Sequence, residues 1–258
     1  MKQGLIDSHA HYENGRFKAD RDVLISSMPG LGVDYIVNVG CDLPSSIEAI
    51  EIAEMHEKVY ANVGVHPHEA KTLDDTMLDK LLQMCNHPKV VGYGEIGLDF
   101  YYDFSPRDVQ RQWFTRQLHA ACEIDMPVII HARDADQEVF DTIKASPLKN
   151  GVVHCFSGDA ELAMRYVDMG LYIGVGGVVT YDKTGRLQDV VAAIPLEHIL
   201  LETDAPYMAP HPKRGKRNES HYLHYVAAEI AKIKNTTAEE VCRVTSENVF
   251  KLFPKMSA

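Results

Sequence analysis

Histidine and carboxylate side chains stand where several short apolar runs of the sequence stop. His9 and His11 are separated by one residue, so in an extended strand both side chains point to one face and can share a cation. Glu95 follows an apolar run with several glycines, which let a ligand or a neighbouring backbone approach closely. The same position, after at least three mainly apolar residues, is taken by His131, His154 and Asp204. These residue types predict metal-dependent chemistry.

Each of these signals is weak alone. A lone histidine after an apolar run is more often a core residue, and two histidines separated by one residue are often solvated in a loop. Six candidate ligands at equivalent positions favour a common metal site, provided that the fold brings the strand ends together.

The elements that carry these residues follow a repeating pattern. Short β-branched runs alternate with helical segments, which is typical of a parallel sheet with helices outside it. The clearest predicted helices span residues 44 to 57, 106 to 123 and 220 to 233, and a further helix spans residues 237 to 253. The predicted strands span residues 4 to 10, 34 to 41, 59 to 65, 90 to 98, 127 to 132, 151 to 156, 171 to 177 and 199 to 204.

Eight such cycles favour a closed barrel over an open doubly wound sheet. A G-x-G-x-x-G segment, which would favour the open sheet, is missing after the first strand. We therefore predict the α/β class, with residues 1 to 258 forming a single (β/α)8 TIM barrel that carries an extra C-terminal helix. The active site of such a barrel lies at the carboxyl ends of its strands, which is where the candidate ligands fall.

Local signals also mark two helix starts. Ser105 followed by Pro106 predicts an N-cap with proline at the first helical position. Thr237 and Glu240 have the spacing of a capping box.

Composition limits the classes of protein that are compatible with this chain. The 258 residues are 45% hydrophobic and 24% charged, which is typical of a globular protein. No stretch approaches the roughly 20 apolar residues of a membrane span, and the printed start lacks a signal-peptide core. The five cysteines form no C-x-x-C pair. We expect a cytoplasmic protein with free thiols, no membrane association and no obligate protein partner.

The charge pattern leaves room for an anionic substrate. A formal net charge of -11 argues against a nonspecific nucleic-acid coat. The most basic short segment, residues 213 to 217, nevertheless follows the eighth predicted strand, where many TIM barrels bind phosphate. This segment is either a phosphate-binding loop, through Arg214, Lys216 and Arg217, or a solvated loop.

Seven motifs in order give the chain a family resemblance. It resembles the TatD family of metal-dependent hydrolases, within the wider group of amidohydrolase-like barrels. The resemblance covers nearly the whole chain. The motifs are Asp7-Ser8-His9-Ala10-His11, Gly64-Val65-His66-Pro67-His68, Gly94-Glu95-Ile96-Gly97-Leu98-Asp99, Pro127-Val128-Ile129-Ile130-His131-Ala132-Arg133, His154-Cys155-Phe156-Ser157-Gly158, Leu201-Glu202-Thr203-Asp204-Ala205-Pro206 and Arg214-Gly215-Lys216-Arg217-Asn218-Glu219.

The resemblance implies two divalent cations, Mg²⁺, Mn²⁺ or Zn²⁺, that share Glu95 as a bridge. His9, His11, Glu95 and Asp204 would hold one cation, and Glu95, His131 and His154 the other. Glu95 and Asp204 are then the catalytic residues, with Asp204 placed to accept a proton from water. Such a pair of cations activates water and stabilises the phosphoryl and leaving oxygens.

The implied substrate is nucleic acid. The leading interpretation is a deoxyribonuclease that cleaves phosphodiester bonds in single-stranded DNA, and in RNA as well, from a chain end. His66 and Arg133 join Arg214, Lys216 and Arg217 as candidate substrate contacts, although His66 could equally support the ligands. Two alternatives stay open, a hydrolase of a small ester, amide or lactone on the same site and a noncatalytic metal-dependent binding module.

Overall fold

The computed structural model describes residues 4 to 256, so both ends of the predicted domain, residues 1 to 3 and 257 to 258, lie outside the described residues. Eight strands form one parallel sheet in which each strand pairs with the next along the chain. The strands are Leu5–Ala10 (β1), Val33–Val39 (β2), Val59–Val63 (β3), Val90–Asp99 (β4), Val128–Arg133 (β5), Gly151–Val153 (β6), Tyr172–Val175 (β7) and Ile199–Leu201 (β8).

The sheet closes between its first and last strands. Ala10 and Ala205 form a parallel bridge. The amide of His11 donates to the carbonyl of Ala205 at 2.8 Å, and the amide of Asp204 donates to the carbonyl of His9 at 2.9 Å. Closure confirms the predicted (β/α)8 barrel. It also places the candidate ligands from the two ends of the chain side by side.

Helices surround the barrel, and the predicted extra helix is present at the C-terminal end. The single-domain organisation stays a prediction. The α-helices are Arg21–Ser27 (α1), Leu43–Met55 (α2), Asp75–Met84 (α3), Arg107–Glu123 (α4), Asp136–Lys144 (α5), Ala160–Asp168 (α6), Arg186–Ala193 (α7), Leu223–Lys234 (α8) and Ala238–Leu252 (α9).

Strands β6 and β8 end earlier than the sequence predicts. Their pairing stops at Val153 and Leu201, so His154 and Asp204 follow the strands instead of belonging to them. The backbone turns there, because Cys155 has a φ of 46° and Asp204 a φ of 54°, both in the left-handed region. A strand ladder cannot continue through that conformation.

One predicted helix start is confirmed and the other is wrong. The Thr237 side chain caps α9 by accepting from the amide of Glu240. At α4 the N-cap is Pro106, not Ser105, and the helix begins at Arg107. The Ser105 hydroxyl instead donates to the carbonyl of His68 at 2.7 Å, so it connects two loops at the carboxyl end of the barrel.

The opposite end of the barrel is closed by α9. Side chains of this helix, including Val249 and Leu252, form one buried cluster with strand residues such as Val91 and Ile129. A second, larger cluster lies between the strands and the outer helices. Because apolar packing fills the lower end of the barrel, polar chemistry is confined to the carboxyl ends of the strands.

Candidate metal centre

The six predicted ligands come together around the carboxylate of Glu95, within β4. Its Oε2 lies 3.3 Å from Nε2 of His9 and 3.9 Å from Nε2 of His11. Its Oε1 lies 2.6 Å from Nδ1 of His131 and 2.7 Å from Nε2 of His154. Each oxygen of one carboxylate therefore faces a different pair of histidines.

The first group contains His9, His11 and Asp204. Nε2 of His9 and Nε2 of His11 are 3.2 Å apart, and Oδ1 of Asp204 lies 3.2 Å from Nε2 of His11. Nδ1 of His11 lies 2.8 Å from the carbonyl of Val39, which accepts its hydrogen and leaves the lone pair on Nε2. Two imidazole lone pairs that converge beside two carboxylates fit a shared divalent cation.

The second group contains His131, His154 and also His66. Nε2 of His66 lies 3.4 Å from Oε1 of Glu95. His66 is buried, and with Glu95 and His131 it offers three ligand atoms within 4.8 Å of one another. The structure therefore places His66 beside the Glu95 carboxylate and not at the rim of the barrel.

Burial makes this arrangement costly without a cation. His9, Glu95 and His154 are 1%, 3% and 4% exposed. Within residues 4 to 256, Nδ1 of His9 is buried without a hydrogen-bond partner, and Nε2 of His154, although 2.7 Å from Oε1 of Glu95, is not aligned with it for a hydrogen bond. A buried polar atom without a partner costs free energy. Coordination of a cation by Nε2 of His154 would remove that cost, so the residues present fit a metal.

The candidate ligands differ in protonation state. Burial would lower the pKa of His11 and of His154, but neighbouring acidic groups raise both above the ordinary value. Burial lowers the pKa of His9 and the pKa of His66 to about 4, so both imidazoles are neutral at pH 7. Burial alone would raise the pKa of Glu95 and of Asp204, but the nearby imidazoles outweigh it and hold both pKa values below the ordinary range. Burial would lower the pKa of His131, but bonds to Asp99 and Glu95 raise it to about 9, so this position favours positive charge.

Two glycines allow β4 to carry Glu95 so close to β5. Gly94 has a φ of 146° and Gly97 a φ of 152°, where L side chains are strained. A Cβ on Gly97 would collide with the carbonyl oxygen of His131, and a Cβ on Gly94 with that of Ile129. Glycine is therefore required at both positions.

Asp7 connects the first and last strands beneath the first ligand group. This buried carboxylate accepts from the Thr203 amide at 2.9 Å, from the Thr203 hydroxyl at 2.6 Å and from the Ser220 hydroxyl at 2.6 Å. Burial raises the pKa of Asp7 to about 6. Asp7 thereby sets the separation between His9 and Asp204.

Two further residues, Asp99 and Glu202, touch the candidate ligands although the sequence analysis assigned them no definite role. Oδ2 of Asp99 lies 3.2 Å from Nε2 of His131 and 2.9 Å from Nε2 of His68, so it orients both rings. Oε1 of Glu202 lies 3.8 Å from Nδ1 of His154. In the predicted strand over residues 199 to 204, Glu202 stands two residues before Asp204 and would share its face, which is the signal that could have identified it.

The predicted substrate residues divide into two sets. Arg214 and Lys216 are exposed, with the Arg214 guanidinium 3.9 Å from the Tyr181 ring centroid. Arg217 instead forms two bonds to Asp20, at 2.8 and 2.7 Å, and two to Glu219, at 2.9 and 3.3 Å. Since these carboxylates already hold its guanidinium, we leave Arg217 out of the proposed substrate contacts.

The basic segment is fixed beside the first ligand group. The buried side chain of Asn218 donates through Nδ2 to the carbonyl of Thr203 at 2.8 Å. The backbone amide of Asn218 donates to the carbonyl of Pro206 at 3.1 Å. Both acceptors lie within two residues of Asp204. Arg214 and Lys216 are thus attached to the loop that carries a ligand.

Comparison with known families identifies the group to which this centre belongs. The family model for TatD-related DNases matches residues 6 to 254. The chain belongs to the TatD family. This assignment confirms the resemblance drawn from the seven motifs and makes the chain a metal-dependent hydrolase that acts on ester bonds.

Individual TatD relatives match over almost their full lengths. The chain is 39% identical to the uncharacterized metal-dependent hydrolase YabD of Bacillus subtilis, over 96% of this chain and 98% of that protein. It is 32% identical to the 3'-5' ssDNA/RNA exonuclease TatD of Klebsiella pneumoniae, over 96% and 97%. The crystal structure of YjjV, a TatD homologue from Escherichia coli, superposes with a TM-score of 0.93 at 32% identity, over 98% and 99%.

The helices were also compared with the requirements of a membrane span. Between residues 4 and 256, no helix combines the length and the apolar character needed to cross a bilayer.

Proposed function

We propose that this TatD family hydrolase cleaves phosphodiester bonds of single-stranded DNA, and of RNA, from a chain end with two divalent cations. The observation that carries the proposal is the division of the Glu95 carboxylate between two groups of ligands, since Oε2 faces His9 and Oε1 faces His154. A shared anion offsets the repulsion between two cations roughly 3.5 to 4 Å apart.

We assign a set of ligands to each cation. His9, His11 and Asp204 would hold one, His131 and His154 the other, and Glu95 both. When bound, Mg²⁺, Mn²⁺ or Zn²⁺ would act as Lewis acids and lower the pKa of water. The mixture of imidazoles and carboxylates is compatible with all three ions.

Asp204 is the residue best placed to take a proton from the attacking water. Its side chain is 15% exposed whereas that of Glu95 is 4% exposed, so Asp204 faces the open side of the centre. Its pKa lies below the ordinary value, because the His11 ring outweighs burial, so the carboxylate is ionised and can accept a proton. A positioned base of this kind contributes about 10²- to 10⁴-fold to a rate.

Positive charge on the protein supports phosphodiesters as the substrates. Arg214 and Lys216 provide exposed positive charge on the loop that follows β8. Local cations of this kind attract a polyanion although the whole chain has a formal net charge of -11. The exonuclease name of the relative from Klebsiella pneumoniae points to the same substrates.

The decisive experiment is a refilling screen. Protein stripped of metal is refilled separately with Mg²⁺, Mn²⁺ or Zn²⁺ and assayed on single-stranded DNA, RNA, and a panel of carboxylic esters, amides and lactones. The proposal expects oligonucleotide cleavage with release of terminal nucleotides, and loss of this activity in a Glu95→Gln variant. Turnover of esters or lactones without cleavage of any oligonucleotide would overturn it in favour of a small-molecule hydrolase. Metal binding without turnover of any compound would favour the binding module.

A further inference from the structure

Exposed aromatic rings lie at the carboxyl end of the barrel. Within residues 4 to 256, the exposed phenylalanine and tyrosine side chains all follow β4 or β8, whose ends carry Glu95 and Asp204. Three of them, Tyr101, Tyr102 and Phe104, fall within four residues and are 59%, 46% and 55% exposed. We call these three side chains the aromatic platform. The fourth, Tyr207, lies across the mouth, on the loop after β8.

The platform is mutually packed although its rings face solvent. The rings of Tyr102 and Phe104 are stacked, with centroids 5.1 Å apart and planes 19° from parallel. Tyr101 meets Tyr102 edge to face at 4.8 Å. The guanidinium of Arg133, at the end of β5, lies 4.2 Å from the Tyr101 centroid and 4.7 Å from the Tyr102 centroid. The result is a set of exposed π-faces with one cation against it.

The same carboxylate fixes the platform and the metal centre. Oδ2 of Asp99 contacts His131, a proposed metal ligand, whereas Oδ1 accepts from the amides of Tyr101 at 3.1 Å and Tyr102 at 3.0 Å. His68, which contacts Oδ2 as well, lies edge to face against the ring of Tyr102 at 5.4 Å. One buried side chain therefore joins the platform to the candidate metal centre.

Side chains that donate to backbone carbonyls hold the remainder of the platform loop. Nζ of Lys71 donates to the carbonyl of Phe104 at 2.9 Å, and the Arg107 guanidinium donates to the carbonyl of Phe100 at 2.9 Å. The loop is therefore held in place by hydrogen bonds, although its aromatic rings are exposed. A rigid aromatic surface loses little conformational entropy when a flat ligand stacks on it.

We propose that the aromatic platform binds unpaired nucleobases next to the scissile phosphodiester, with Arg133 facing the adjoining phosphate. This inference rests on the proposed function and adds the part of the substrate that the enzyme recognises. Stacking is tolerant of sequence, because every base has a π-face. It requires bases that are not enclosed in a duplex, so the platform selects single strands without reading sequence.

The test compares two single-stranded DNA oligonucleotides of equal length on the metal-loaded enzyme. One oligonucleotide carries a base at every position. The other has abasic tetrahydrofuran residues at the last three positions of both ends, so that the result does not depend on the direction of cleavage. Stacking on an aromatic side chain predicts that removal of the bases raises KM by about 5- to 150-fold in the wild type. The ratio of the two KM values is the readout.

Variants separate ring stacking from general apolar contact. Tyr102→Leu and Phe104→Leu keep apolar bulk without a π-face, whereas Tyr102→Phe keeps the ring. The leucine variants should lower the KM ratio towards one by raising KM for the base-containing strand only, and Tyr102→Phe should retain the wild-type ratio. Ile124→Ala, which changes an exposed apolar side chain at the C-terminal end of α4, is the matched control and should also retain it.

The outcomes distinguish this inference from the function on which it rests. Cleavage of both oligonucleotides with equal KM, or an unchanged ratio in the leucine variants, overturns the platform alone. Failure of the wild type to cleave either oligonucleotide overturns the proposed function and the platform with it. A platform that instead joins two copies of the chain would show equal KM values and a concentration-dependent mass that the leucine variants lose.

Discussion

Replacing Glu95 by glutamine removes a negative charge from the centre of the site with almost no change in side-chain volume. The carboxylate faces His9 through Oε2 at 3.3 Å and His154 through Oε1 at 2.7 Å. A glutamine amide keeps one carbonyl oxygen and presents NH₂ to the other group. Neither group then retains an anionic ligand from this position, so we expect both cations to bind more weakly.

The size of the effect follows from the number of ligands. A structural Zn²⁺ site with four protein ligands binds its ion with about 10 to 16 kcal/mol, so one ligand contributes about 2.5 to 4 kcal/mol. Because about 1.4 kcal/mol corresponds to a tenfold change in Kd, each cation should bind roughly 100- to 1000-fold more weakly in Glu95→Gln.

The assay is metal content at equilibrium. Wild type and variants are dialysed against buffers of fixed free Mn²⁺ or Zn²⁺, and bound metal per chain is measured by mass spectrometry across the concentration series. His11→Ala and His131→Ala are the matched controls, because each removes a ligand from one group only and should weaken a single cation.

Three results would refute the bridging role of Glu95. The first is a wild-type protein that binds one cation per chain at saturation. The second is a Glu95→Gln variant that keeps two cations at wild-type affinity. The third is a Glu95→Gln variant whose metal content matches that of a single control, since this would mean that the carboxylate serves one group alone.

Other substitutions test the remaining assignments. Asp204→Asn should retain much of the metal but lower kcat by at least ~100-fold, because the amide accepts no proton, and a loss of only a few fold would assign the base elsewhere. Arg214→Ala should reduce the slope of log(kcat/KM) against log(salt) for single-stranded oligonucleotides by about 0.7, while Lys80→Ala on α3 should not change it, and equal slopes would remove the loop from phosphate binding. Gly97→Ala should move His131 and reduce bound metal to about one cation per chain, measured as above, because the new Cβ meets the His131 carbonyl.

The barrel was predictable because its signals are local. Continuous apolar runs mark parallel strands that are buried on both faces, and their number fixed the count of cycles. His9 and His11 share a face because side chains alternate along a strand. The strand ends were less predictable, since at Asp204 a residue with positive φ stops the pairing and sequence periodicity carries no information on φ.

Contacts between elements that are distant in sequence could not be predicted from the sequence. Asp99 contacts His68 and His131, but that depends on how β4 and β5 are registered, which no local pattern specifies. Arg217 belongs by composition to a basic segment, and only the packed structure brings Asp20 to its guanidinium. Charge runs therefore locate a loop but do not say which of its cations are free for a ligand.

Barrel closure at Asp7 has a consequence for the order of events during synthesis. Asp7 and Thr203 are 196 positions apart, so the bond that sets the spacing of His9 and Asp204 forms only after the eighth strand has left the ribosome. A contact of such high sequence separation is formed late and slows folding. Until then, the histidines near the N-terminus have no Asp204 with which to share a cation. A chain that terminates before Asp204 therefore carries an incomplete first ligand group.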